Sequence, residues 1–145
     1  MEENNRCLGC MLANKELNVN VIYEDEYVIC ILDIDPFNDG HTLILPKSHF
    51  LDVDEFTPEV ASAVMNASIL ISKAINHAYN PDGITINQNG GVFNDLTHYH
   101  MHVVARYMGQ NFAEFYSEGE VSEKSDQYFE RVTRELKRAL HEILQ

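Results

Sequence analysis

His98, His100 and His102 occupy every second position of Thr97-His98-Tyr99-His100-Met101-His102-Val103-Val104-Ala105-Arg106. Side chains two apart share a face of an extended strand, so this spacing projects three imidazoles together and turns Tyr99, Met101 and Val103 toward a core. On a helix the three would scatter round the axis, because only residues three and four apart are neighbours there. The spacing predicts a strand. Same-face neighbours lie roughly 6.6 Å apart along it, near enough for one imidazole to act on a group that the next one positions. Two chemistries are open to such a row. Two strand histidines and a third ligand can hold a metal ion with a free position for water, although three side chains fanned along one strand converge poorly. Alternatively, a neutral imidazole whose Nδ1–H is held by an acceptor can attack phosphate through Nε2 and form a phospho-histidine, while a flanking imidazole serves the phosphate or the leaving group. An inert polar strand is the third reading, and three histidines beside the Gly- and Asn-containing stretch 88–95 weigh against it.

Cys7-Leu8-Gly9-Cys10 is the second group with chemistry in it. A redox C-x-x-C follows a strand and opens a helix, and no strand-forming run precedes this one. The same spacing supplies half of a tetrahedral zinc site, and two incidental cysteines are the remaining reading. Cys30 lies in the apolar run Tyr27-Val28-Ile29-Cys30-Ile31-Leu32 and is expected to be core.

The elements that must position these residues follow from periodicity and turn chemistry. A short helix is expected over 11–17, strands over 19–23 and 27–33, a turn at 34–40, and a third strand over 41–45 ended by Pro46. Thr57-Pro58-Glu59 reads as a cap, a first-turn proline and a first-turn acid. Val60, Val64, Ala67, Ile71, Ile75 and Ala78 then form one helical stripe, stopped by Asn80-Pro81-Asp82-Gly83. His77 is expected to be solvated near that helix end. A fourth strand covers 84–87, the histidine strand is fifth, and a loop to about 121 leads to a last helix from about 122. That helix buries Phe129, Val132, Leu136, Leu140 and Ile143 and exposes Glu130, Arg131, Arg134, Glu135, Lys137 and Arg138. The pattern is α+β on a mainly antiparallel five-stranded sheet with a central helix and a C-terminal helix.

At 145 residues and 45% hydrophobic content, one domain spanning 1–145 is expected, with residues 1–6 polar and loose. A net charge of −13 argues against a groove that tracks nucleic-acid phosphates. There is no membrane-length apolar run and no signal-peptide pattern, so neither membrane nor export is expected and the cytoplasm is. Three cysteines do not make a secreted disulfide framework.

His98-Tyr99-His100-Met101-His102-Val103-Val104 matches the H-φ-H-φ-H-φ-φ signature, and the chain resembles the histidine triad (HIT) family. Asp33-Ile34-Asp35-Pro36 and Gly40-His41-Thr42-Leu43-Ile44-Leu45-Pro46-Lys47-Ser48-His49 resemble two further segments of that family in the same order. Coverage is about 7–107, with 108–145 a C-terminal helical extension. The resemblance implies a HIT-like fold and a hydrolase or transferase cleaving at the α-phosphate of a nucleotide derivative, a dinucleoside polyphosphate or a nucleoside phosphoramidate. It implies His100 as nucleophile, His102 on the phosphate and leaving group, and His41 orienting the cluster. Asp33 would bind ribose hydroxyls. Ile31, Leu32 and Ile34 would border the base, while Asn87, Asn94 and the 88–95 backbone would hold phosphate. It also implies one structural zinc per chain on Cys7, Cys10, His49 and His98, closed to activated water by its four ligands. A homodimer acting on a purine nucleotide or dinucleotide is expected. Asn94 and Asp95 stand where the family usually has a glutamine followed by Ser or Thr, and a carboxylate near phosphate repels it unless protonated or turned away. That departure motivates the alternative, a non-catalytic nucleotide-binding or interaction protein with a structural zinc. A third class, a hydrolase using the triad as metal ligands, would lose its chemistry directly on chelation.

Overall fold

A computed structural model describes residues 7–117 and 123–145. The expectations for 1–6 and for the loop and helix start within 118–122 lie outside the described residues. The chain runs α1 (Leu8–Ala13), β1 (Val21–Glu24), β2 (Val28–Leu32), β3 (Thr42–Pro46), α2 (Pro58–Tyr79), β4 (Gly83–Asn87), β5 (Met101–Arg106) and α3 (Asp126–Ile143). Short 3-10 turns lie at Val53–Glu55, Gly91–Phe93 and Phe112–Tyr116.

The sheet order is β1-β2-β3-β5-β4, and every pairing is antiparallel. β2 and β3 are buried along their whole length, as the unbroken apolar runs require of strands covered on both faces. One face carries Cys30, Leu32, Ile44, Val103 and Ala105 against Val64, Ile71 and Ile75 of α2 and Val132 and Leu136 of α3. The other face packs Ile29, Ile31, Leu43 and Leu45 with Leu12 and Ala13 of α1. Cys30 is core, as expected, and burial raises its thiol pKa far above the usual range.

Thr57 caps α2 by accepting from the Val60 N–H at 3.3 Å, Pro58 is its first residue, and Asn80 closes it in the left-handed region at φ 47°. The first helix is displaced from its expected 11–17 to Leu8–Ala13, because Cys7 Sγ accepts from the Cys10 N–H at 3.2 Å and so caps the helix itself. His77 is exposed but not solvated alone, since Nε2 meets Glu142 of α3 at 2.7 Å. Arg131 and Glu135 also leave the expected free face. Arg131 reaches Asp39 at 3.4 Å and Glu135 accepts from the Tyr79 hydroxyl at 2.8 Å. These ties and the apolar stripe of α3 make the C-terminal helix part of the main core, on the face away from Leu43 and its partner His102.

The histidine segment departs from a uniform strand. Only His102 lies within β5, while His98 and His100 precede it and Thr97 has φ 52°. The sorting of faces nevertheless holds, for Tyr99 and Val103 are buried in the main core and Met101 packs against it.

Candidate functional site

His98 is fully buried, and three contacts fix its ring. The backbone carbonyl of Pro46, which can only accept, lies 2.8 Å from its Nε2, so Nε2 carries the proton and Nδ1 keeps a lone pair. That lone pair faces Cys7 Sγ at 3.6 Å and Cys10 Sγ at 3.5 Å. His49 Nδ1 lies 3.4 and 3.2 Å from the same sulfurs. The four ligand atoms stand within 4.8 Å of one another and can hold a metal ion. The donor set, two thiols and two imidazoles in a closed group, fits a tetrahedral ion such as zinc. Gly9 makes this approach possible, since a Cβ there would collide with the Cβ and Cγ of His98. The sequence offered Gly9 only as a spacer between cysteines.

The carbonyl of His98 accepts from His100 Nδ1 at 2.9 Å and from Asn94 Nδ2 at 3.3 Å. His100 therefore holds its proton on Nδ1, and Nε2 presents a lone pair. His41 is fixed in the opposite sense. Its Nδ1 accepts from the Phe37 N–H at 2.9 Å, so Nε2 carries the proton and donates it to His102 Nδ1, also at 2.9 Å. The neutral His102 ring is left with its proton on Nε2. Backbone groups thus set one imidazole as a base and its neighbour as a donor, with ring centroids 5.1 Å apart.

Asp33 Oδ2 lies 3.4 Å from His41 Nε2 and 3.8 Å from His102 Nδ1. These three residues have the spacing of metal ligands. The Phe37 N–H argues for a relay instead, because a metal on His41 Nε2 would move the ring proton to Nδ1, against that donor. Burial lowers the pKa of His41 to about 3 and that of His102 to about 4, with neighbouring histidines adding to both. Both rings are neutral near pH 7. Burial also pushes the Asp33 carboxyl up to about 6, against the lowering effect of the Asp35 N–H it accepts from.

A cavity of about 850 Å³ opens on this cluster, lined among others by Asp33, His41, Asp95, His102, Phe115 and Tyr116. Phe115 stands edge-on to His102 at 5.1 Å, and Phe37 and Phe112 continue the aromatic wall. The Tyr116 hydroxyl accepts from Asn87 Nδ2 at 2.7 Å, while Asn87 Oδ1 is buried without a partner. Neither the triad nor its family segments point to Phe115 and Tyr116, for which the aromatic run Phe112-Ala113-Glu114-Phe115-Tyr116 soon after the triad is the signal, and Phe37 reads only as part of the turn at 34–40.

The structure brings Asp33, His41 and His102 to the cavity lining, with His100 beside His102 and Asn87 donating to the lining Tyr116. It does not bring Ile31, Leu32, Ile34 or Asn94 to the lining. Ile31 and Leu32 are buried on opposite faces of β2, in the two separate core clusters. Ile34 is exposed, beyond the end of the strand. Asn94 is buried with its amide spent on Leu51 and His98 carbonyls and its oxygen on the Leu96 N–H, so it fastens the loop. Asp95 lines the cavity with Oδ1 3.5 Å from His100 Nε2.

Comparison with known proteins follows the same lines. Residues 14–109 match the HIT domain family. The hit protein of Bacillus subtilis is 39% identical over 103 residues, covering 70% of this chain and 71% of that protein. An adenylylsulfatase of Arabidopsis thaliana is 35% identical over 104 residues, 70% of this chain and 53% of that enzyme. The crystal structure of a zinc-bound histidine triad family protein from Mycobacterium smegmatis superposes with a TM-score of 0.77 at 32% identity, covering 96% of each chain.

The lowered pKa of His102 has a stability consequence. A base whose folded pKa lies below its unfolded 6.5 contributes stability above pH 6.5 that is lost as pH falls toward about 4. The unfolding free energy of the wild type relative to His102→Gln, measured by urea titration, is expected to fall by about 1–3 kcal/mol between those pH values. A difference independent of pH would contradict the neutral buried ring.

Proposed function

The chain belongs to the HIT domain family and has its α+β fold on a five-stranded antiparallel sheet, and from that premise we propose that it is a nucleotidyl-transferring hydrolase. It cleaves at the α-phosphate of a nucleotide derivative, a dinucleoside polyphosphate or nucleoside phosphoramidate, through a nucleotidyl-histidine intermediate. The observation that carries this reading is the pair of oppositely fixed tautomers on His100 and His102. His100 Nε2 attacks phosphorus, and the bond to the leaving group breaks with its electrons on the leaving atom. His102 Nε2–H donates a hydrogen bond to that atom as charge builds on it, a water molecule supplies the proton the atom keeps, and His41 Nε2–H steadies the Nδ1 lone pair of His102 meanwhile. The hydroxide left from that water then attacks the phosphorus, and the N–P bond breaks with its electrons returning to His100 Nε2. Every proton is carried by this chain and water.

The aromatic wall of Phe37 and Phe115 suits the stacking of a purine, and Asp33 stands at the same cavity with a carboxylate for ribose hydroxyls. The adenylylsulfatase among the relatives supports adenylyl chemistry at such a site. Zinc on Cys7, Cys10, His49 and His98 is structural in this reading, and the zinc-bound relative supports it. No helix of the described residues is long and apolar enough to cross a membrane. A cytoplasmic homodimer is proposed, supported by the exposed Ile86 on edge strand β4 and by exposed Met65 and Ile69 on α2.

Two experiments test this. Incubation with adenosine 5′-phosphoramidate or a diadenosine polyphosphate is expected to release AMP and, on rapid quenching, to leave an adenylyl group on His100, while His100→Ala loses about 10⁴-fold or more in kcat. Equal turnover by wild type and His100→Ala would defeat the reading, and nucleotide binding without any turnover would turn it to the non-catalytic alternative. Metal analysis is expected to give about one zinc per chain, and Gly9→Ala to weaken zinc binding roughly 10–100-fold by displacing His98. Unchanged affinity in Gly9→Ala would show that His98 is no ligand.

A further inference from the structure

Asp95 follows the 3-10 turn Gly91–Phe93 on the loop that leads into the histidines. Its side chain is 93% exposed, yet Oδ1 lies 3.5 Å from His100 Nε2. That nitrogen holds a lone pair, since the ring proton is on Nδ1 against the His98 carbonyl. Two electron-rich atoms therefore face each other across the point of attack. A phosphorus poised for attack sits about 3–3.5 Å from the nucleophile, so the carboxylate and the substituents of the phosphate occupy one small volume.

The rest of the cavity adds to this charge. Asp33, Asp35 and Glu114 also line it, and no lysine or arginine does among the described residues. Sites that receive polyphosphates ordinarily offer cations or helix N-termini to the oxygens. Here the lining offers carboxylates instead, and Asp95 is the one set 3.5 Å from His100 Nε2.

We propose that Asp95 is a specificity-determining residue that selects the charge of the leaving group, favouring nucleotidyl derivatives with a cationic leaving group over those with a polyphosphate or other anionic one. The inference rests on the nucleotidyl-transfer reading above. The bond changes are those of that reaction: the His100 Nε2–P bond forms, the P–N bond to an amine breaks with its electrons on nitrogen, and water supplies the proton while His102 Nε2–H hydrogen-bonds that nitrogen. Asp95 takes no part in the bond changes. It attracts an ammonium carried on the leaving portion and repels a carboxylate or phosphate placed there. For a largely solvated carboxylate at about 5 Å, one unit of charge on the leaving portion changes the rate on the order of fivefold to tenfold, and salt reduces the effect.

The test uses two adenylyl phosphoramidates of matched length, one made from ethylenediamine with an ammonium tail and one from β-alanine with a carboxylate tail. Values of kcat/KM are measured for the full chain with its metal, as wild type, Asp95→Asn and Asp95→Glu. The wild type is expected to favour the ammonium tail by about tenfold or more at low salt, and by less at 0.5 M salt. Asp95→Asn is expected to bring the ratio close to one, mainly by a faster reaction with the carboxylate tail, while Asp95→Glu retains a preference. The exposure of Asp95 leaves folding unaffected by the exchange, which circular dichroism checks. Turnover of both substrates with one ratio in wild type and Asp95→Asn would overturn this inference and leave the hydrolase reading standing. Turnover of neither by any form would overturn both.

Discussion

The carbonyl oxygen of His98 is the point on which the site depends. It accepts from His100 Nδ1 and from Asn94 Nδ2, so one backbone atom sets the tautomer of His100, the proposed nucleophile, and fastens the loop beside it. The ring of the same residue, oriented by the Pro46 carbonyl, faces Cys7 and Cys10. A displaced His98 would disturb both the group that can hold a metal and the proposed phosphate site. The α1 helix can approach it only because position 9 has no side chain.

From that point the electrostatics follow by exclusion of charge. His41 and His102 are held neutral by burial, which preserves the Phe37–His41–His102 chain of hydrogen bonds and its direction. A protonated His41 would lose the acceptor that the Phe37 N–H needs, and a protonated His102 would lose the acceptor for His41. The relay is thus specified by one backbone N–H and a low-polarity setting. The same relay reserves the His41 ring for proton bonding even though Asp33, His41 and His102 have the spacing of a metal site.

Much of this was legible in the sequence where a residue type has a single physical use. The period of two in the triad, the apolar runs of β2 and β3, the Thr57-Pro58 helix start and the Cys10–His49–His98 grouping all carry short-range or family signals. What was hidden depends on contacts distant along the chain. The family resemblance puts Ile31 and Leu32 at the border of the base, whereas pleating sends them to two separate cores. Asn94 read as a phosphate ligand, but burial commits its amide to the backbone. Phe115 and Tyr116 meet the site only because the chain after β5 returns across its mouth. The direction of Asp95 was open until the loop geometry placed it against His100.

The central claim is that backbone hydrogen bonds fix the triad as one base and one donor before any substrate arrives. Long-range proton–nitrogen NMR of the ¹⁵N-labelled protein near pH 7 reads the protonated nitrogen of each ring directly. The account predicts His100 protonated on Nδ1, and His41 and His102 protonated on Nε2. A His102 ring protonated on Nδ1, or a His100 ring averaging between its two tautomers, would contradict it.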